Sequence, residues 1–280
     1  MRALHLLCVC VWAALLPQLA LCLQVPRAVT KLAPRVELQP SLPTLYVYDH
    51  CPFCVRVRLA LGLKNVKYNT HFLGNDDVAT PTALVGKKIA PIFEWSAGGI
   101  SPMPESLDII AKVDGDARFG PTNLLKPMSG RKDLSAWQAK AKDVNSAAQR
   151  PRYMMSPTLA EFCTQDAREA FVKNHPVAGI EKPDWKGMAA DKRWQLYADS
   201  YVLSLSQIDV ISANLAELDA LIHSDASCTE GGVGLDDVDL WSRLRSVTLI
   251  KGVVWPAKLR RYMDNLAALG DVPLLWGMQQ

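Results

Sequence analysis

The sequence predicts a small α/β domain followed by an all-helical one. Three observations carry this. Strand and helix patterns alternate as β-α-β-α-β-β-α over residues 45–113, strand patterns stop at the turn-rich segment from Gly115 to Pro121, and everything beyond Leu124 reads as helix.

Leu45-Tyr46-Val47-Tyr48 is a short β-rich run that ends at Asp49-His50. A helix follows at once, because Pro52 suits a first helical position and Val55, Leu59 and Leu63 recur at helical spacing. Arg56, Arg58 and Lys64 are placed on its wet side, and Gly62 marks its fraying end. Val66 to Leu73 reads as the second strand, and Gly74-Asn75-Asp76-Asp77 leads to a short helix around Thr82–Val85. Ala90-Pro91-Ile92-Phe93-Glu94-Trp95 and Ile100-Ser101-Pro102-Met103 flank Ser96-Ala97-Gly98-Gly99, the signature of a hairpin with antiparallel strands. Pro104-Glu105-Ser106 opens a helix whose Leu107, Ile110 and Val113 share a face. This order is the thioredoxin-like arrangement. In the helical part Trp137 and Val144 sit a heptad apart. Leu203, Ile208, Ile211 and Leu215 line one apolar face, and Leu240, Leu244 and Val247 line another. The expected limits are 44–118 for the α/β domain and 119–280 for the helical one.

With 49% apolar and 21% charged residues, the 280-residue chain has the balance of a globular protein. Its formal charge of +3 resides in residues 1–43, where Arg2, Arg27, Lys31 and Arg35 face Glu37 alone. The neutral remainder lacks the electrostatic footprint of a nucleic-acid binder. Ala3 to Pro26 contains no Asp, Glu, Lys or Arg, and Leu4 to Leu16 has the length of a signal-peptide core. A signal peptide over 1–22 and a flexible or transit-like leader over 23–43 are expected. They imply the secretory route, with a plastid reached through it, or an uncleaved membrane anchor, as alternatives.

Seven cysteines are too few for a disulfide-stapled scaffold in a chain of this length. Cys8, Cys10 and Cys22 lie in the leader, Cys163 and Cys228 stand alone, and Cys51-Pro52-Phe53-Cys54 forms a pair. No second CxxC or HxxxH follows His50-Cys51, so no metal is expected. Thiol–disulfide exchange requires an exposed thiolate with a second thiol near enough to resolve a mixed disulfide. Cys51 stands where a strand meets a helix, and there unpaired N–H groups and the helix dipole favour negative charge. Cys54 lies one helical turn on. A CxxC beside a βαβ pattern is a redox signal of moderate strength, and a pair of ordinary buried cysteines is the bland alternative. His50 either lowers the thiol pKa further or is an exposed neighbour without a role. Pro91 is either a trans proline starting an edge strand or a cis proline beside the thiol.

Asp49-His50-Cys51-Pro52-Phe53-Cys54 and Gly62-Leu63-Lys64-Asn65 resemble the opening of the glutaredoxin 2 family, two-domain glutaredoxins with a glutathione S-transferase-like fold. The resemblance continues through Asn75-Asp76-Asp77, Thr80-Pro81-Thr82, Val85-Gly86-Lys87-Lys88, Pro91-Ile92 and Met103-Pro104-Glu105-Ser106-Leu107-Asp108-Ile109. It resumes at Leu244-Arg245-Ser246-Val247-Thr248-Leu249 and Gly252-Val253-Val254-Trp255-Pro256, and spans roughly residues 45–270. It implies glutathione as cosubstrate, Cys51 as nucleophile and Cys54 as resolving thiol. It also implies a glutathione site formed by Cys51, Pro52, Phe53, Ala90, a cis Pro91, Glu105 and Ser106. Ala90 would offer its backbone to the cysteinyl part, and Glu105 and Ser106 would hold the γ-glutamyl end. Helix capping is the alternative role for that last pair. Glutathionylated or disulfide-bearing proteins are the implied partners, and a monomer is expected. Departures from the family are Phe53 in place of Tyr, a longer Pro/Gly-rich segment over Val177–Lys192, and Gly234 in place of a capping Ser. The competing readings are a cysteine-type glutathione transferase, such as a dehydroascorbate reductase or a GST-like prostaglandin synthase, and a non-catalytic GST-like interaction module.

Overall fold

The computed structural model describes residues 41–155, 157–177 and 180–280. The expected signal peptide, and all of the leader but residues 41–43, lie outside the described residues. Strand β1 (Thr44–Val47) is followed by α1 (Pro52–Leu63), β2 (Asn69–Phe72), α2 (Ala79–Val85), β3 (Ile92–Trp95), β4 (Ile100–Pro104) and α3 (Ser106–Gly115). The strands form one sheet in the order β2-β1-β3-β4, with β1 parallel to β2 and antiparallel to β3, and β3 antiparallel to β4. Strand β2 is shorter than expected, and β3 begins two residues after Ala90. The helical part comprises α4 (Lys132–Met155), α5 (Gln165–Asn174), α6 (Lys182–Gly187), α7 (Ala190–Ser204), α8 (Ile208–Leu221), α9 (Leu235–Arg245) and α10 (Ala257–Gly270).

Helix α1 is the centre of the molecule. It packs on α3, α9 and α10, so every residue from Cys54 to Leu61 is buried. The expectation that Arg56, Arg58 and Lys64 face water is therefore wrong: all three are buried. Each meets a carboxylate, because an unpaired charge in that position would be costly. Arg56 pairs with Asp239 of α9, Arg58 with Asp49, and Lys64 with Asp114 at 3.1 Å. Gly62 is likewise not a fraying end. A Cβ there would lie 1.7 Å from the carbonyl oxygen of Gly270, so the α1 and α10 backbones touch at that point. The helix is ended instead by Asn65 at φ 54°, with Asn65 and Val66 donating back to Gly62 and Leu61.

Two expected apolar faces are also revised. In α3 the buried set is Ile109, Ile110 and Val113, while Leu107 is 47% exposed; with the helix starting at Ser106, positions 106, 109, 110 and 113 share the inner face. A 3-10 turn at Leu205–Gln207 breaks the register between α7 and α8, so Leu203 points outward at 66% exposure while Ile211 and Leu215 are buried. Leu240, Leu244 and Val247 are buried as expected. Gly234 caps α9 without a side chain, and the Asp237 carboxylate accepts from its N–H at 3.0 Å. A Cβ at 234 would come within 2.6 Å of the Lys126 oxygen, which gives glycine at this position a packing reason. Beside the main core a second apolar cluster gathers Tyr153, Phe162, Phe171, Trp185 and Tyr197, and it abuts the loop after β1.

Candidate active site

The register of the sheet brings three segments to one end of it. Tyr46 pairs with Ile92, and Ile92 pairs with Pro104. Cys51 follows the end of β1, Ala90-Pro91 precedes β3 beside it, and Glu105-Ser106 follows β4. The Ala90–Pro91 peptide is cis.

Cys51 is the N-cap of α1 in extended conformation, and its carbonyl accepts the first intrahelical bond, from Val55 N at 3.0 Å. Pro52 occupies the first turn, where a missing N–H leaves no bond unmade. Cys51 is half-buried, Cys54 is fully buried, and both are free thiols. Cys54 Sγ accepts from Tyr48 N at 3.4 Å. The Cys51 thiol is lowered to about 6. The hydrogen bond from the Cys54 thiol is the largest cause, burial opposes it, and the His50 charge and the N–H groups of Cys54 and Phe53 assist. Burial, followed by the hydrogen bond and charge of Cys51, pushes the Cys54 thiol well up. Near neutral pH the pair is thus one accessible thiolate and one covered thiol, the asymmetry that exchange chemistry needs. Phe53 is 45% exposed and carries the Arg56 guanidinium 4.9 Å above its ring.

His50 is not the exposed neighbour that one reading allowed. Its ring lies among Tyr153, Phe162 and Phe171, with centroids at 5.3, 5.0 and 5.5 Å. Its Nδ1 is 2.6 Å from Glu161 Oε1, and the same oxygen accepts from His50 N at 2.7 Å. Burial pulls the imidazole down, but the Glu161 hydrogen bond and charge, with the Cys51 charge, outweigh it and hold His50 above its ordinary value. The flanking Asp49 takes Arg58, and Arg245 reaches its carbonyl at 2.7 Å and its carboxylate. Ser246 Oγ donates to the His50 carbonyl at 3.3 Å. The loop that presents Cys51 is therefore fastened by Glu161, Arg245 and Ser246, all from the helical part. Sequence reasoning missed these three. The available signal was an acid or an arginine inside otherwise apolar runs, Leu159-Ala160-Glu161-Phe162 and Leu244-Arg245-Ser246-Val247.

Glu105 adopts φ 74°, a region that side chains rarely occupy, and stands at the N-cap of α3 without a capping hydrogen bond from its side chain. It is 58% exposed, with Lys87 Nζ at 3.6 Å. Helix capping therefore does not account for its side chain, and backbone strain of this kind gathers at ligand sites. Ser106 is buried at the first helical position. Among the described residues no group of three or more His, Cys, Asp or Glu is arranged to hold a metal ion.

Comparisons with known proteins bear on the fold and the family. The family profile of the glutathione S-transferase N-terminal domain matches residues 45–121, and that of the glutaredoxin 2 C-terminal domain matches residues 191–278. Glutaredoxin 2 of Escherichia coli is 35% identical over 240 residues, covering 84% of this chain and 98% of the relative. The crystal structure of glutaredoxin 2 from Salmonella typhimurium in complex with glutathione superposes with a TM-score of 0.70 at 32% identity, covering 85% of this chain and 99% of that one. A beta-etherase from Sphingobium sp. shares the fold alone, with a TM-score of 0.50 and 12% identity over 81% of this chain and 95% of its own. With a thioredoxin-like domain, a helical domain and this identity across nearly the whole relative, the chain belongs to the glutaredoxin 2 family of glutathione-dependent thiol oxidoreductases.

Proposed function

We propose that Cys51 is the nucleophile and Cys54 the resolving thiol in reduction of protein–glutathione mixed disulfides and protein disulfides. The observation that carries this is the unequal thiol pair at the start of α1, with one thiol half-buried and lowered to about 6 and the other covered and raised. In the first route the Cys51 thiolate attacks the glutathione sulfur of a mixed disulfide. A Cys51–glutathione disulfide forms and the protein leaves as a thiolate, which takes up a proton. A second glutathione thiolate then attacks that glutathione sulfur, yielding oxidised glutathione and restoring the Cys51 thiolate. In the second route the Cys51 thiolate attacks one sulfur of a protein disulfide and the S–S bond breaks. The other sulfur leaves as a thiolate that takes up a proton, so a Cys51–protein mixed disulfide remains. Cys54 gives up its proton, attacks Cys51 and releases the second protein thiol, and two glutathiones reduce the resulting Cys51–Cys54 disulfide. Cys54 resists deprotonation while Cys51 is a thiolate. Once Cys51 is bound in a disulfide that neighbouring charge is gone, and Cys54 becomes easier to ionise.

Glutathione in this reading lies along the edge formed by Cys51, Pro52, Phe53, Ala90, Pro91, Glu105 and Ser106. The Ala90 backbone pairs with its cysteinyl part. The first N–H groups of α3 and the Ser106 hydroxyl meet the γ-glutamyl carboxylate, and Glu105 meets the adjacent ammonium. An activity panel on the purified protein tests the assignment. Reduction of a glutathione mixed disulfide is expected to exceed both aryl-halide conjugation and dehydroascorbate reduction. Dominant conjugation or dehydroascorbate reduction would instead favour the cysteine-type transferase.

A further inference from the structure

We propose that Glu161 is a positioning residue for the thiol chemistry: it fixes the His50 imidazole beside Cys51 and supplies the counter-charge that lets this imidazole carry a proton there. The inference deepens the reading above and rests on Cys51 being the nucleophile.

Glu161 lies in the 3-10 turn Ala160–Phe162 of the helical part, 111 residues from His50, and is fully buried. The hydrogen bonds to its carboxylate come from His50, whose backbone N–H and ring Nδ1 both reach Oε1. Bonds to the peptide and the ring of one residue fix where that residue lies and how its ring is turned. The Glu161 backbone is itself tied to the α/β part, since its carbonyl accepts from Asn75 N at 3.0 Å. Phe162, Phe171 and Tyr153 wall the imidazole, so the pair lies in a setting where charge interactions are strong.

The other groups around His50 act on its charge less than Glu161 does. Arg245 and Arg58 occupy Asp49 and, against the pull of burial, hold it below the usual carboxylate range. Burial keeps the Tyr48 and Tyr153 hydroxyls protonated. His175, stacked on Phe171 at 4.1 Å, is lowered by burial to about 4 and is neutral at working pH. Arg150 donates to the Pro176 carbonyl at 3.2 Å. Three anions thus act on the imidazolium: the Glu161 carboxylate first, then the Cys51 thiolate, and last Asp49, whose charge is shared with its two arginines.

Removing the Glu161 charge has two opposed effects on Cys51. Losing an anion favours the thiolate, but without its partner the buried imidazole gives up its proton, and Cys51 loses the adjacent cation. The second effect is the larger, because His50 adjoins Cys51 and is the leading charge acting on it, whereas Glu161 acts through His50.

The test is alkylation of Cys51 by iodoacetamide as a function of pH, followed by peptide mass spectrometry, in the reduced full-length protein and in Glu161→Gln, His50→Gln and the double variant. The expected midpoint of the unsubstituted protein is near pH 6. Each single variant should raise it by about one unit, and the double variant should raise it no further. Because a more basic thiolate is also more nucleophilic, alkylation at pH 5 should slow only roughly threefold. A folded Glu161→Gln protein with an unchanged or lowered midpoint, or additive shifts in the double variant, would overturn the proposal. The unsubstituted protein provides a second check that needs no variant: the His50 imidazole, followed by NMR, should titrate above 6.5, and titration well below that value would also overturn it. Alkylation requires no glutathione, so loss of the glutathione reading in the activity panel and loss of this coupling are separate results.

Discussion

Replacing Cys51 by Ser should reduce glutathione-dependent disulfide reduction by about three orders of magnitude or more, since the attacking atom itself is removed. Cys54→Ser should behave differently. It should keep most of the reduction of glutathione mixed disulfides, which uses Cys51 and a second glutathione, and lose reduction of protein disulfides, which needs a resolving thiol. The structure adds a second consequence for that variant. The largest influence lowering the Cys51 thiol is the hydrogen bond from the Cys54 thiol, and a serine hydroxyl in the same buried position can still donate one. Cys54→Ala cannot, so its Cys51 should titrate higher than that of Cys54→Ser. Steady-state assays with a glutathionylated peptide and a disulfide-bonded protein read both results. Activity retained in Cys51→Ser and lost in Cys54→Ser would reverse the roles.

Glu105→Gln is expected to raise the Michaelis constant for glutathione about tenfold while leaving the melting temperature near that of the parent. A hydrogen bond to a charged group contributes roughly 1.5–3 kcal/mol, or one to two orders of magnitude. Glu105 is more than half exposed and faces Lys87 at 3.6 Å, so solvent screening places the effect at the lower end. Gln preserves the shape and the backbone demand at φ 74° and removes the charge. A capping role would lower the melting temperature and leave the Michaelis constant alone, and the absence of a side-chain cap bond argues against that outcome. An unchanged Michaelis constant would move the γ-glutamyl ammonium to another acceptor.

What was legible in the sequence was local. Alternation in Leu45-Tyr46-Val47, proline after Cys51, and the Gly98-Gly99 hairpin each report on a few neighbouring residues, and each stands where it was expected. Two errors were local, Leu107 from the starting point of its helix and Leu203 from the 3-10 turn that follows it, and the larger ones lie where distant parts of the chain meet. Arg56 and Arg58 read as solvent-facing because a single amphipathic helix would place them there. The α9 helix, more than 180 residues on, covers one of them and supplies Asp239. Gly62 read as a helix end because its true reason, the carbonyl of Gly270, is contributed by another helix. The site shows the same division. Its thiols and the cis proline segment lie in short motifs, whereas Glu161 and Arg245 reach the Asp49-His50 loop across 111 and 196 residues. No spacing rule connects residues so far apart, and a lone acid in an apolar run is more often a surface residue than a buried partner.

The most direct test of the central claim, that Cys51 carries glutathione during the reaction, is to locate the adduct. Cys54→Ser protein would be treated briefly with oxidised glutathione at pH 6.5, where Cys51 is substantially ionised, and mapped by peptide mass spectrometry. Cys163 is exposed and serves as an internal comparison, while Cys228 is buried and its thiol is pushed up, first by burial and then by the charge of Asp237. The predicted result is one glutathione on Cys51, released by added reduced glutathione, with Cys163 unmodified over the same interval. An adduct on Cys163 with Cys51 free would contradict the account.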